Sequence, residues 1–160
     1  MACDLIAMGV QSVAHSPGSE WVVLQVDLKN AFNSVNRTAM LQVARAKVQS
    51  AYNWLAWCYA SPCPLFCQGK LLTYSSQGVH QGDAMGPLGF SLGLEQILDQ
   101  CAIQQSCVEW SAWYLDDEVV VGSMEAISTY LNALHDSPTA AGLQFNLGKC
   151  QIWDLARPVL

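Results

Sequence analysis

Asp116 and Asp117 stand side by side between two apolar runs, Trp113-Tyr114-Leu115 before them and Val119-Val120-Val121 shortly after. Two ionised carboxylates held in one tight turn repel each other, and a divalent cation relieves that repulsion. Oxygen-only ligands favour a hard ion such as Mg²⁺, which takes one or two carboxylates and fills its other positions with water or substrate phosphates. Asp27 closes another apolar run, Trp21 to Val26, and supplies a third carboxylate if the two runs lie in one sheet. Three such aspartates suit a pair of ions about 3.5–4 Å apart, which activate an attacking 3′-hydroxyl and stabilise a leaving pyrophosphate. The implied chemistry is nucleotidyl transfer. Taken alone, the pair equally suits a polar β-turn, and Asp27 a strand-end cap.

The elements that must position these residues can be read from period and punctuation. Trp21 to Val26 is rich in β-branched residues and suits a strand buried on both faces. Asn33 or Ser34 is expected to cap a helix through about Lys47, followed by a helix over Gln49 to Ala60 that Pro62 and Pro64 stop. Leu65–Cys67 and Leu71–Tyr74 predict a hairpin turning at Gly69. Asp83 is expected to cap a long helix to about Gln105, in which Gly86, Gly89 and Gly93 imply close packing. Val108–Leu115 and Glu118–Gly122 predict strands with both aspartates at the hairpin tip. A helix from Met124 to His135, stopped before Pro138, leads through Gly142 to a last strand near Cys150–Trp153. This order gives an α+β class.

Composition bounds the rest. A 160-residue chain with 52% hydrophobic and 12% charged residues fills the core of one domain, and only Ser16-Pro17-Gly18-Ser19 punctuates it early. No apolar run reaches membrane-spanning length and Asp4 opposes a secretory leader, so the expectation is an intracellular soluble chain, nuclear or cytoplasmic. Seven cysteines without C-x-x-C spacing read as reduced thiols, the cluster Cys58, Cys63 and Cys67 included. The formal charge of −6 repels a phosphate backbone, but Lys29, Arg37, Arg45 and Lys47 are close enough in sequence to form a local basic face.

Four segments, in order, resemble the reverse transcriptase family, particularly the non-LTR retrotransposon type. Val26-Asp27-Leu28-Lys29-Asn30-Ala31-Phe32 is similar to its first palm motif. Gln77-Gly78-Val79-His80-Gln81-Gly82-Asp83-Ala84-Met85-Gly86-Pro87-Leu88 resembles its Q-G-x-x-Q-G-D-P-x-S-P-L segment. Tyr114-Leu115-Asp116-Asp117 matches its Y-x-D-D box, and Gly142-Leu143-Gln144-Phe145-Asn146 with Lys149 is similar to the G-L-x-x-N-x-x-K pattern that follows. The resemblance implies an RNA-directed DNA polymerase palm, an antiparallel sheet packed on helices, within a partial domain over 1–160 whose core runs from about 20 to 154. Fingers and thumb would be largely absent and supplied by a longer polypeptide. It further implies two Mg²⁺ or Mn²⁺ ions on Asp27, Asp116 and Asp117, aided by the Leu28 carbonyl, with Lys149 protonating the pyrophosphate. Gln81 and Gly82 would line the nucleotide side, and Phe32 would exclude a ribose 2′-hydroxyl. Partners would be an RNA template, a DNA primer and deoxynucleoside triphosphates, with no membrane.

Three positions depart from that pattern: Ala84 replaces Pro, Gly86 replaces Ser, and Glu118 follows the aspartate pair where a small residue is usual. Glu118 is expected to bring a further negative charge beside the ions unless its side chain points away. The competing reading is a catalytically inactive retroelement remnant acting at most as an interaction module, which exposed apolar patches would favour. An RNA-directed RNA polymerase shares the palm logic, but Phe32 and the Tyr-Leu-Asp-Asp box argue against it. No serine lies in a nucleophile-elbow context, so His15, His80 and His135 read as surface or structural histidines. Trp54, Trp57, Trp110 and Trp113 are expected mostly in the core, and Lys70 in solvent.

Overall fold

The computed structural model describes residues 2–14, 20–136 and 143–154. Ser16-Pro17-Gly18-Ser19, His15, Pro138 and Gly142 lie outside them. In order come α1 (Ala2–Ala14), β1 (Val22–Lys29), α2 (Ala31–Ser34), α3 (Arg37–Lys47), α4 (Gln49–Tyr59), β2 (Cys63–Cys67), β3 (Lys70–Ser75), α5 (Gly86–Gln100), α6 (Ala102–Gln105), β4 (Trp110–Tyr114), β5 (Asp117–Gly122), α7 (Met124–Asp136), β6 (Gln144–Phe145) and β7 (Gln151–Asp154). The chain divides into two compact units, one of residues 1–29, 100–137 and 144–160, the other of 30–99 and 138–143.

The first unit is an antiparallel sheet with helices packed on it. Its strands run β4-β5-β1, and β7 and β6 follow one another along the far side of β1. The central place of β1 explains its composition: Val23, Leu24, Val26 and Leu28 are buried, as a strand with neighbours on both sides requires. Helix α7 presents Ile127, Tyr130 and Leu134, at spacings of three and four, as its buried stripe. Strand β1 extends two residues beyond Asp27, so Asp27 lies within the strand rather than at its end.

The second unit holds four helices and a hairpin. The helix expected from Asn33 or Ser34 is interrupted: Val35 is extended, and Asn36 caps α3 by accepting from the Ala39 amide at 3.1 Å. Gly69 has φ +75°, as the β2–β3 turn demands. The glycine stripe of α5 does what its spacing implied, because a Cβ at Gly93 would meet Val35 Cγ2 at 2.2 Å and one at Gly89 would meet Met40 Sδ at 2.9 Å. The long helix expected to Gln105 breaks at Cys101, leaving α6 as a separate turn. Trp54 and Trp57 are exposed, against expectation, because α4 buries the Leu55 and Tyr59 stripe instead. Among the described residues, no helix is long and apolar enough to cross a membrane.

Candidate active site

The candidate site belongs to the first unit and is built by strand register. Asp27 of β1 faces Asp117 of β5 as a direct antiparallel partner, and Tyr114 of β4 faces Asp117 from the other side. Leu115 and Asp116 form the two-residue loop between β4 and β5, and the Leu28 amide donates to the Asp116 carbonyl at 3.3 Å. That bond ties the hairpin tip to β1 beside Asp27. Leu115 sits at φ +58°, a left-handed conformation in which a side chain collides with its own backbone. The tight turn that presents the aspartates therefore carries local strain.

On the far side of β1, the Asn146 amide donates to the Asp27 carbonyl at 2.8 Å, and the Asn146 carbonyl in turn accepts from the Lys149 amide at 2.8 Å. The turn brings Lys149 Nζ to 3.6 Å from Asp27 Oδ2. Asp27, Asp116, Asp117, Lys149 and Leu28 are thus gathered by one sheet. Burial, then the neighbouring charges of Asp116 and Asp27, push the Asp117 carboxyl above its usual range, and Lys149 opposes them. Asp27 Oδ1 is buried and has no hydrogen-bond partner.

Among the described residues, no three His, Cys, Asp or Glu side chains form a ready-made metal cage. An open set nevertheless suits Mg²⁺, which needs few protein carboxylates. The orphaned Asp27 oxygen and the mutual repulsion around Asp117 are what an oxygen-seeking cation relieves.

Glu118 does not add its charge to this group. Adjacent strand residues point to opposite faces, and with Asp117 as the first residue of β5 the Glu118 side chain enters the core. It is fully buried; the Tyr130 hydroxyl donates to Glu118 Oε1 at 2.7 Å, and Trp113 Nε1 donates to the Tyr130 oxygen at 3.4 Å. Burial pushes the Glu118 carboxyl up to about 8, outweighing those hydrogen bonds.

The other predicted residues, Phe32, Gln81 and Gly82, belong to the second unit. Phe32 stacks on Phe90 with ring centroids 4.8 Å apart. Gln81 and Gly82 are exposed on the loop before α5, Gly82 at φ +88°. Asp83 accepts from the Met85 amide at 2.9 Å, and the Tyr59 hydroxyl donates to its other oxygen. That hydrogen bond lowers the Asp83 carboxyl, while burial pushes the Tyr59 phenol up to about 12. The expected basic face is reduced, because Arg37 is buried and Lys47 pairs with Glu95 at 2.7 Å and Asp99 at 3.4 Å. Sequence reasoning missed the roles of Arg37 and Tyr59; Arg37 follows the first motif by five residues, whereas Tyr59 lies far from every motif in the sequence and carries no such signal.

Comparison with known proteins gives the family and the fold. The model of the family described as reverse transcriptase (RNA-dependent DNA polymerase) matches residues 3–159. A retrotransposable element SLACS 132 kDa protein of Trypanosoma brucei gambiense is 29% identical over 137 residues, 81% of this chain and 11% of that protein. Apo telomerase from Candida tropicalis, truncated from its C-terminal domain, superposes with a TM-score of 0.69 at 12% identity, covering 96% of this chain and 34% of that one. Telomerase from Candida albicans, solved with the TWJ fragment of telomeric RNA, gives 0.68 at 12% identity over 99% of this chain and 30% of that one. A loop-deletion mutant of the RNA-dependent RNA polymerase of a human picobirnavirus gives 0.65 at 19% identity, covering 94% and 31%. At these identities the structural likeness is one of fold, that of the polymerase palm. The chain spans about a tenth of the curated relative and about a third of the solved chains.

Proposed function

The chain belongs to the reverse transcriptase (RNA-dependent DNA polymerase) family, and on that premise we propose that it is the palm portion of an RNA-directed DNA polymerase adding deoxynucleotides to a primer 3′-hydroxyl. The observation that carries the reading is the cross-strand register of Asp27 and Asp117, with Asp116 at the adjoining tip and an unpartnered buried oxygen on Asp27. Asp27, Asp116 and Asp117 would hold two Mg²⁺ or Mn²⁺ ions, with the Leu28 carbonyl assisting. When bound, such ions supply charge neutralisation at the attacking and leaving oxygens.

The chain's own groups have distinct tasks. Lys149, with a side chain 70% exposed and only loosely paired to Asp27, is free to move a proton to the departing pyrophosphate. Phe32, fixed by its stack on Phe90, sets the size limit at the sugar. Gln81 and Gly82 bear on the incoming nucleotide. Template and primer need cationic contacts that a chain of net charge −6 supplies poorly, so fingers and thumb parts of a longer polypeptide are proposed partners.

The test is primer extension on an RNA template with deoxynucleotides and Mg²⁺ or Mn²⁺, with Asp116→Asn run beside the native chain. Incorporation by the native chain that vanishes in the variant is the expected result. A second reading, an inactive retroelement remnant serving as an interaction module, is favoured by the exposed Leu65, Phe66, Leu71, Leu72 and Tyr74 of the β2–β3 hairpin. Folded native chain that incorporates nothing would decide for it.

A further inference from the structure

We propose that Arg37 is a positioning residue that holds the Gly78–Asp83 loop in the shape that offers Gln81 and Gly82 to the nucleotide; the proposal rests on the polymerase reading above. Arg37 is only 7% exposed, although burying a cation is expensive. Its fork serves one segment: Nε donates to the Gly78 carbonyl at 2.7 Å, Nη1 to the Ser75 carbonyl at 2.8 Å and Nη2 to Ser75 Oγ at 2.8 Å. The guanidinium also lies 5.2 Å from the centroid of the Tyr59 ring. Two of the three acceptors are main-chain carbonyls, so the fork fixes the path of the backbone rather than an opposing charge.

Other bonds anchor both ends of the same loop. The Gly78 amide donates to the Val35 carbonyl at 3.0 Å and the Val79 amide to the Phe32 carbonyl at 2.7 Å. Gly78 adopts φ +67°, and a Cβ there would meet the Asn33 backbone at 2.3 Å, so the contact is main chain on main chain. At the far end, Tyr59 donates to the Asp83 carboxylate and accepts from the His80 amide at 3.2 Å. Between these ties Gln81 and Gly82 stay exposed. Such a loop is anchored on both sides and open in the middle. Arg37 acts through it without touching the nucleotide.

The experiment compares Arg37→Lys, Arg37→Gln and Tyr59→Phe with the native chain, by kcat and KM for a deoxynucleoside triphosphate in primer extension and by amide hydrogen exchange over residues 78–83. Folded variants should raise KM by about tenfold or more with a smaller effect on kcat, and exchange at His80–Asp83 should accelerate while that of β1 and β5 is unchanged. Lysine should not rescue, because a point charge cannot hold three acceptors in a fixed fork. Tyr59→Phe, which keeps the ring, tests the other anchor if Arg37→Gln fails to fold. KM and loop exchange within about twofold of native in folded Arg37→Lys would overturn the proposal. Native chain that incorporates nothing would overturn the polymerase reading and the nucleotide role together, and it is seen in the control before any variant is compared.

Discussion

Replacing Glu118 with Gln should stabilise the chain at neutral pH and remove a pH dependence that the native chain has. Glu118 is fully buried behind Tyr130 and Trp113, its Oε2 has no partner, and burial raises its carboxyl from an ordinary 4.5 to about 8. The folded state therefore keeps a proton that the unfolded chain releases. A group raised in this way contributes its full stability below its unfolded value and loses it as pH rises through the folded one. Over the interval from pH 4.5 to pH 7 the linked loss reaches roughly 3 kcal/mol, a large fraction of the stability of an ordinary domain. Gln keeps an acceptor for the Tyr130 hydroxyl and carries no charge, so it resembles the protonated acid. Urea unfolding followed by circular dichroism from pH 4.5 to 8.5 should give nearly equal stabilities at the acid end and a gap that widens to roughly 3 kcal/mol by pH 7 in favour of Glu118→Gln. Other titrating groups are common to both chains and cancel in the difference. Parallel native and variant curves across this range would refute the argument that the buried carboxyl must be neutral.

Three further outcomes follow from the site. The raised Asp117 carboxyl means that Asp117→Asn should stabilise the metal-free chain at neutral pH. Mg²⁺ or Mn²⁺ at a hundredfold excess over its Kd should stabilise the native chain by about 2.7 kcal/mol and leave this variant nearly unchanged; calorimetric melting with and without the ion checks both. Leu115→Val should lower the urea midpoint, because φ is +58° there and β-branching adds to a left-handed clash that leucine already bears. An unchanged midpoint would argue that the hairpin tip is not held in that conformation.

Much of the architecture was legible in local pattern. The β-branched run before Asp27 does form the central strand, the first hairpin does turn at Gly69, and the glycine spacing of α5 does mark a tightly packed face, whereas the second hairpin turns one residue earlier than expected, at Leu115-Asp116, with Asp117 already paired in β5. The candidate aspartates were legible because their order along the chain resembles a family pattern, and strand pairing does gather them. What the sequence left undecided turned on single-residue register. With both aspartates assigned to a turn, Glu118 has no defined face; with Asp117 as the first residue of β5, alternation sends Glu118 into the core. The two-residue β6 is too short to show a period at all. Arg37 looked like surface charge because nothing in its neighbours announces the carbonyls of Ser75 and Gly78, which are about forty positions away in the chain. Period and turn chemistry are local properties that a sequence displays directly, whereas which buried group meets which partner depends on long-range contacts that exist only after the chain has folded.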